Sequence, residues 1–399
     1  MLGRLMLITL LLIGVLFTPG CWSRKELNEL AVVMALGIDK VEGGYAVTAQ
    51  VLNSGETDTK RGASMGSLPV ITYFSVGKTI PDALQRMHGL APRTLYLSHL
   101  RVLIFGEKLA RAGLGDVMDF IARNYQLRTD FFLLVTKAGH ASEILDVVTP
   151  FEYIPAGSIY SSILVSHDKW AATGKVTLQQ FITELKRDGS DPVLSGVRLS
   201  GDQNKGKSID NVKKITPDTL IEHTGLGVFK GDRLVGWLEE APSKAVNYVL
   251  NEVDSTGGVI VFPEGVIGFN VNQATSSLQV SFNEEGIPEF KVRIKVEADL
   301  STIQFPMDLS QPSTITEIEK RIEEKYNTMI SRSIQNVQVR YGADVFGFGE
   351  ALHRKYPKKW RKYRDNWEEH FKKMKVNVDT KVAIRRIGSI VQPISRESK

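Results

Sequence analysis

From Leu5 to Phe17 the chain reads LMLITLLLIGVLF, thirteen residues without a charge. A helix crossing a bilayer needs about 20 such residues, and no later apolar run approaches ~18. The run therefore commits only itself to a membrane, and the rest of the chain is expected to fold as a soluble body with its own cores. Arg4 gives the run a short positive flank, which suits the apolar region of an export signal. Thr18-Pro19-Gly20-Cys21 follows. Small residues before a cysteine are what a lipoprotein signal peptidase needs for a cut at Gly20–Cys21. The thiol then takes a diacylglycerol in thioether linkage. Each buried CH₂ contributes about 0.8 kcal/mol, so two or three acyl chains anchor stably. Lipoproteins more often carry Leu where Thr18 stands. Two other readings stay open: a plain secretory signal with a bystander cysteine, and an uncleaved amino-terminal anchor helix.

Cys21 is the one cysteine among 399 residues, which excludes an intramolecular disulfide and a cysteine zinc site. The net charge of +5 is too weak and too dispersed to argue for nucleic acid. The length suits two or three domains.

Beyond Cys21 the pattern predicts a mixed α/β (α+β) fold of two to three modules, each a mixed or antiparallel sheet packed with helices. The expected division is a lipoprotein signal peptide over 1–20, an α/β domain over 21–200, a linker or small module over 201–224, and an α+β domain over 225–399. Leu30–Ile38, Tyr45–Leu52, Val70–Val76, Arg101–Phe105 and Phe131–Val135 read as strands, alternating with helices after Pro81, around Val117 and around Ile144. Asn53–Ser67 reads as an exposed loop. Gly231-Asp232 marks a hairpin turn. Strands are expected again at Val259–Phe262, Val266–Val271, Leu278–Phe282 and Pro288–Leu300. The last alternates cleanly, with Val292, Ile294, Val296, Ala298 and Leu300 opposite charged neighbours. Apolar steps of three and four predict a long helix over 317–341, with Thr316 and Glu319 as a capping box and Gly342 as its stop. A final strand is expected at Val376–Ile387.

No catalytic constellation is convincing. None of the seven histidines stands four residues from another, as a zincin helix requires. Asp202-Gln203-Asn204-Lys205-Gly206 lacks the downstream glutamate of a calcium loop. No cofactor or metal is expected. Residues 350–375 hold ten Lys and Arg against four acids, with Trp360, Trp367, Tyr356, Tyr363 and Phe371 interleaved. A face carrying Lys358, Lys359 and Arg361 could meet anionic headgroups or an acidic loop of a partner. The plainer reading is a solvated helix packed on the sheet through its tryptophans.

Several segments together resemble the Ger(x)C family of spore germination lipoproteins. They are Cys21-Trp22-Ser23-Arg24-Lys25-Glu26-Leu27, the strand ending Leu36-Gly37-Ile38-Asp39, Ser98-His99-Leu100, GLGVFKGDRLVGWL at Gly225–Leu238, and Asp344-Val345-Phe346-Gly347-Phe348-Gly349 with Trp360 beyond. The resemblance spans essentially the whole mature chain. It implies a C-type subunit of a nutrient germinant receptor, lipid-anchored at Cys21 to the outer face of the spore inner membrane. It also implies two multi-pass membrane partners, one transporter-like, and a small-molecule germinant sensed by the complex, with no enzymatic activity and no cofactor. Trp22, Arg24, Glu26, Asp344, Phe346, Trp360, Lys358, Lys359 and Arg361 are then the candidate membrane-proximal or partner-binding residues. A solute-binding lipoprotein closing two lobes on the germinant, and a surface hydrolase, are the competing readings.

Overall fold

The structure is a computed structural model and describes residues 26–53, 68–152 and 154–388, with residues 3, 4 and 6. The expected loop Asn53–Ser67 lies outside the described residues apart from Asn53, and so do Cys21, Trp22 and Arg24. Among the described residues nine strands make a first sheet: β1 (Leu30–Val41), β2 (Gly44–Leu52), β3 (Val70–Gly77), β4 (Thr94–Tyr96), β5 (Val102–Phe105), β6 (Phe132–Thr136), β7 (Val193–Gly201), β8 (Thr219–Lys230) and β9 (Arg233–Trp237). Their order is β3-β2-β1-β5-β6-β7-β8-β9, with β4 beside the start of β1. The central strands β1, β5, β6 and β7 run parallel, and both margins are antiparallel.

A sheet buried on both faces needs apolar residues at odd and even positions alike. Leu103, Phe105, Leu133 and Val135 face one helix layer, α1 (Ile80–Met87), α2 (Glu107–Ala112), α3 (Gly115–Arg123) and α6 (Leu178–Leu185). Val102, Ile104, Phe132 and Leu134 face the other, α4 (Ala141–Leu145) and α5 (Pro155–Trp170). The motif Leu36-Gly37-Ile38-Asp39 is explained here. A Cβ on Gly37 would stand 3.1 Å from that of Ala141, so glycine lets α4 lie close. The buried Asp39 carboxylate accepts from Ala141 N (2.9 Å) and Ser142 N (3.3 Å), capping the same helix.

The second sheet runs β10 (Thr256–Phe262), β11 (Gly265–Phe282), β12 (Pro288–Ile303), β13 (Val376–Arg386), with β13 parallel to β12. The alternation expected in β12 is present: Val292 to Leu300 at every second position are buried. They pack on α7 (Glu240–Leu250) and α8 (Pro312–Arg340) through Tyr248, Ile318, Ile322, Tyr326, Ile330 and Ile334. Gly342, at φ +61°, ends α8 as expected.

Three expectations are corrected. Residues 266–271 and 278–282 belong to one strand, β11, because β12 offers a continuous partner across the polar middle. The long helix begins at Pro312, not near Glu317. Proline at the first turn sets its start, and Thr316 Oγ1, already inside, donates to Pro312 O at 3.1 Å. Finally, 201–224 is no free linker. Residues 202–218 form the loop of the β7–β8 hairpin, pinned by the buried Asn211, whose Nδ2 donates to Val148 O (2.9 Å) and Thr219 O (3.0 Å). The hairpin β8–β9, expected in the second module, therefore completes the first sheet.

Candidate functional site

The anchor end and the carboxyl-terminal motif were the two candidate regions, and they stand differently. Of the residues around Cys21 only Glu26 is described. It is exposed, and its carbonyl accepts from Glu29 N (3.0 Å) in a short 3₁₀ turn, Leu27–Glu29, leading into β1.

Asp344 and Phe346 are withdrawn from solvent, at 1% and 2% exposure. Asp344 Oδ1 accepts from Phe346 N and Phe348 N (both 3.2 Å), and Oδ2 from Gly349 N (2.8 Å) and Trp367 Nε1 (3.0 Å). Burial pushes this carboxyl up to about 7 against the pull of those N–H groups. The backbone of Asp344 pairs with Asp191: Asp344 N donates to Asp191 Oδ2 (2.8 Å) and Asp191 N to Asp344 O (2.9 Å). Asp191 also takes Gly231 N at 3.0 Å, and burial raises its carboxyl too. Beside this pair Gly189, at φ +76°, lies against Gly349, where a Cβ would meet Gly349 backbone at 2.6 Å. The motif is an internal joint that clamps the turn before β7 to the segment after α8. The expectation that Asp344 and Phe346 meet a partner is corrected, because their side chains are spent inside this joint.

Trp360 is likewise corrected. It is 2% exposed and meets Trp367 edge-on, ring centroids 5.2 Å apart. The basic stretch is three short helices, α9 (Phe348–Lys355), α10 (Pro357–Trp360) and α11 (Trp367–Lys373), held inward by their aromatics. Lys358, Lys359 and Arg361 are exposed. Lys359 Nζ stands 3.5 Å over the Phe282 ring. Among the described residues no carboxylate forms an ion pair with Lys358, Arg361 or Lys362, whereas Lys372 and Lys373 pair with Glu368 and Glu369.

A cleft of about 1020 Å³ opens between α1, α3 and the β1–β2 turn, floored by Ile80, Leu84, Leu95 and Leu97. At its rim Tyr45 Oη donates to Asp116 Oδ2 at 2.9 Å, and Lys40 Nζ lies 4.2 Å from the Tyr45 ring centre. It sits within one helix layer of the first sheet, not between two lobes.

Two sequence patterns and one side-chain pair outside these regions have the form of known catalytic or binding machinery. Gly201–Ser208 has the spacing of a phosphate-binding loop, G-x-x-x-x-G-K-S. Here it is a hairpin loop rather than a strand-to-helix turn: Gly206 is buried against Thr219, and Lys207 Nζ pairs with Asp146 at 3.1 Å. Gly62–Gly66 reads G-x-S-x-G but lies outside the described residues, and the next described element is a strand, not the helix a nucleophile elbow feeds. The pair is Ser162 Oγ, 2.7 Å from His223 Nε2. Burial holds His223 down at about 4, a weak base, and its Nδ1 finds no partner among the described residues, so no acid orients the ring as a triad requires.

The family model described as "Spore germination protein N-terminal domain" matches residues 23–199, and "Spore germination B3/ GerAC like, C-terminal" matches 224–388. The chain belongs to the Ger(x)C family. Spore germination protein KC of Bacillus subtilis is 28% identical over the full length of both chains. Spore germination protein A3 of the same organism is 24% identical over 94% of this chain and 95% of its own. The crystal structure of the GerBC protein superposes with a TM-score of 0.56 at 19% identity, covering 88% of this chain and 96% of that one, which shares the fold.

Proposed function

We propose that this protein is the lipid-anchored, non-catalytic subunit of a spore nutrient germinant receptor, working as scaffold or signalling partner beside two integral membrane subunits. The observation that carries the reading is the lone cysteine directly after the apolar run, in a chain of this family. Among the described residues no helix is long and apolar enough to cross a membrane, and in this reading Cys21 supplies the retention. Tethering acts by effective concentration: on a shared membrane, weak contacts suffice to keep subunits assembled. The first test is intact mass spectrometry of the protein from its own membrane fraction, with a chain beginning at Cys21 and carrying diacylglycerol expected. Cys21→Ala is expected to lose membrane retention and slow germination while leaving the fold intact. Normal germination in that variant would sink the role given to the lipid.

The cleft favours a second reading, in which this subunit captures the germinant itself. A germinant that raises the thermal midpoint of the purified protein, further with the logarithm of its concentration, would support it.

A further inference from the structure

We propose that the molecule lies on an anionic bilayer through the amino ends of β1, β4, β5 and β6, with Leu90 and Tyr125 entering the headgroup layer. This rests on the lipid-anchor reading and adds to it which face lies down.

Topology supplies the face. β1, β4, β5 and β6 run parallel, so the segments that feed them gather at one end. These are the described start at Glu26, the turn 88–93, the segment 97–101 and the loop 124–131. Leu30 is paired with Thr94, Ser98 Oγ donates to Gln126 O at 2.7 Å, and Phe132 N donates to Arg101 O at 3.0 Å, so the four segments are neighbours.

Tether length selects that face. Cys21 precedes Glu26 by five residues, which span at most roughly 18 Å when fully extended. The far end of β1, a strand of 12 residues, is about 40 Å from its start. A lipid on Cys21 therefore holds the amino ends of the strands against the bilayer and leaves the opposite end out of reach.

The surface chemistry agrees. Tyr125 is 91% and Leu90 61% exposed, large side chains standing in solvent at loop tips. Residues 83–106 contain no acid but carry Arg86, Arg93 and Arg101, of which Arg86 reaches back to Asp82 at 3.0 Å. The acids within these four segments are Glu26, Glu29 and Asp130, and Asp130 pairs with Arg128 at 2.9 Å. Aromatic and apolar tips among arginines suit an anionic headgroup layer.

The lipidated thiol is unavailable for labelling, so Tyr125→Cys and Leu90→Cys each carry a single environment-sensitive fluorophore. Ile215→Cys, fully exposed on the loop beyond the far end of β7, is the control. The full-length lipidated protein is reconstituted on vesicles of phosphatidylglycerol and phosphatidylcholine in equal parts, carrying a headgroup spin-label quencher. Labels at 125 and 90 are expected to shift blue and to be quenched several-fold more than at 215, with the difference shrinking on phosphatidylcholine alone. If the protein floats with the vesicles but labels at 125 and 90 report water as 215 does, the proposal is overturned and the anchor stands. Shielding of those labels only when the membrane subunits are co-reconstituted would give the face to a protein partner instead, and also overturns it. If the protein does not float at all, the anchor reading falls and the proposal with it.

Discussion

Asp344 gathers four N–H donors on one carboxylate, and each of its oxygens is committed. At about pH 8, where the carboxyl is ionised, Asp344→Asn turns one oxygen into a donor facing other donors, an expected cost of about 1–3 kcal/mol in urea unfolding. The pH dependence follows from the same burial. The folded carboxyl titrates near 7 and the unfolded one near 3.8, so the folded state holds the extra proton between those values. Its contribution to stability is full at low pH and is lost as pH rises through about 7. Unfolding midpoints compared between about pH 5 and about pH 8 should show this slope in the parent and a flatter one in Asp344→Asn. The joint was half legible. Gly347 and Gly349, two residues apart, suit a tight turn, but Asp191 lies 153 residues away, and no local pattern links the two. Trp360 misled for a different reason: lysines on both sides of a tryptophan look alike whether the ring faces solvent or the core.

Among elements, α8 and β12 were the most legible, because each buries one face and wets the other, and that contrast is periodic. The start of α8 was misplaced because a capping-box spacing at Thr316 is cheaper to satisfy by chance than a proline at the first helical turn. Its load lies on the buried stripe. Ile322→Ala, at a site with 0% exposure, is expected to cost about 2–5 kcal/mol. Lys320→Ala, one step round the helix on the wet side, should stay within about 0.5 kcal/mol. Thermal unfolding of the two variants side by side checks the assignment. The region of α5 and α6 was left without elements: α5, of 16 residues, buries Ala156, Ile159 and Ile163 but also exposes Val165, which blurs its apolar stripe.

At the scale of the whole molecule the two sheets share one apolar core: Leu226 and Val228 of β8 and Leu238 just beyond β9 pack with Tyr248 and the residues of the second sheet. A polar, lysine-rich segment looks like a linker whether it joins modules or closes a hairpin, so the pairing of β8 with β7 across 202–218 was not legible in the sequence. A fragment covering 26–201 lacks β8 and β9 and leaves the edge of β7 unpaired, while 26–237 restores both. The shorter fragment is expected to be cut far faster in limited proteolysis, and equal resistance of the two would refute the role given to the hairpin.

β1 has a mechanical consequence. It is an interior strand, bonded to β2 on one side and to β4 and β5 on the other. A pull on the amino-terminal leash runs along its axis, so the ladders on both flanks are loaded in shear and must give way together instead of unzipping bond by bond. With the anchor proposed at Cys21, such a leash would yield first at its lipid end, leaving the folded body whole.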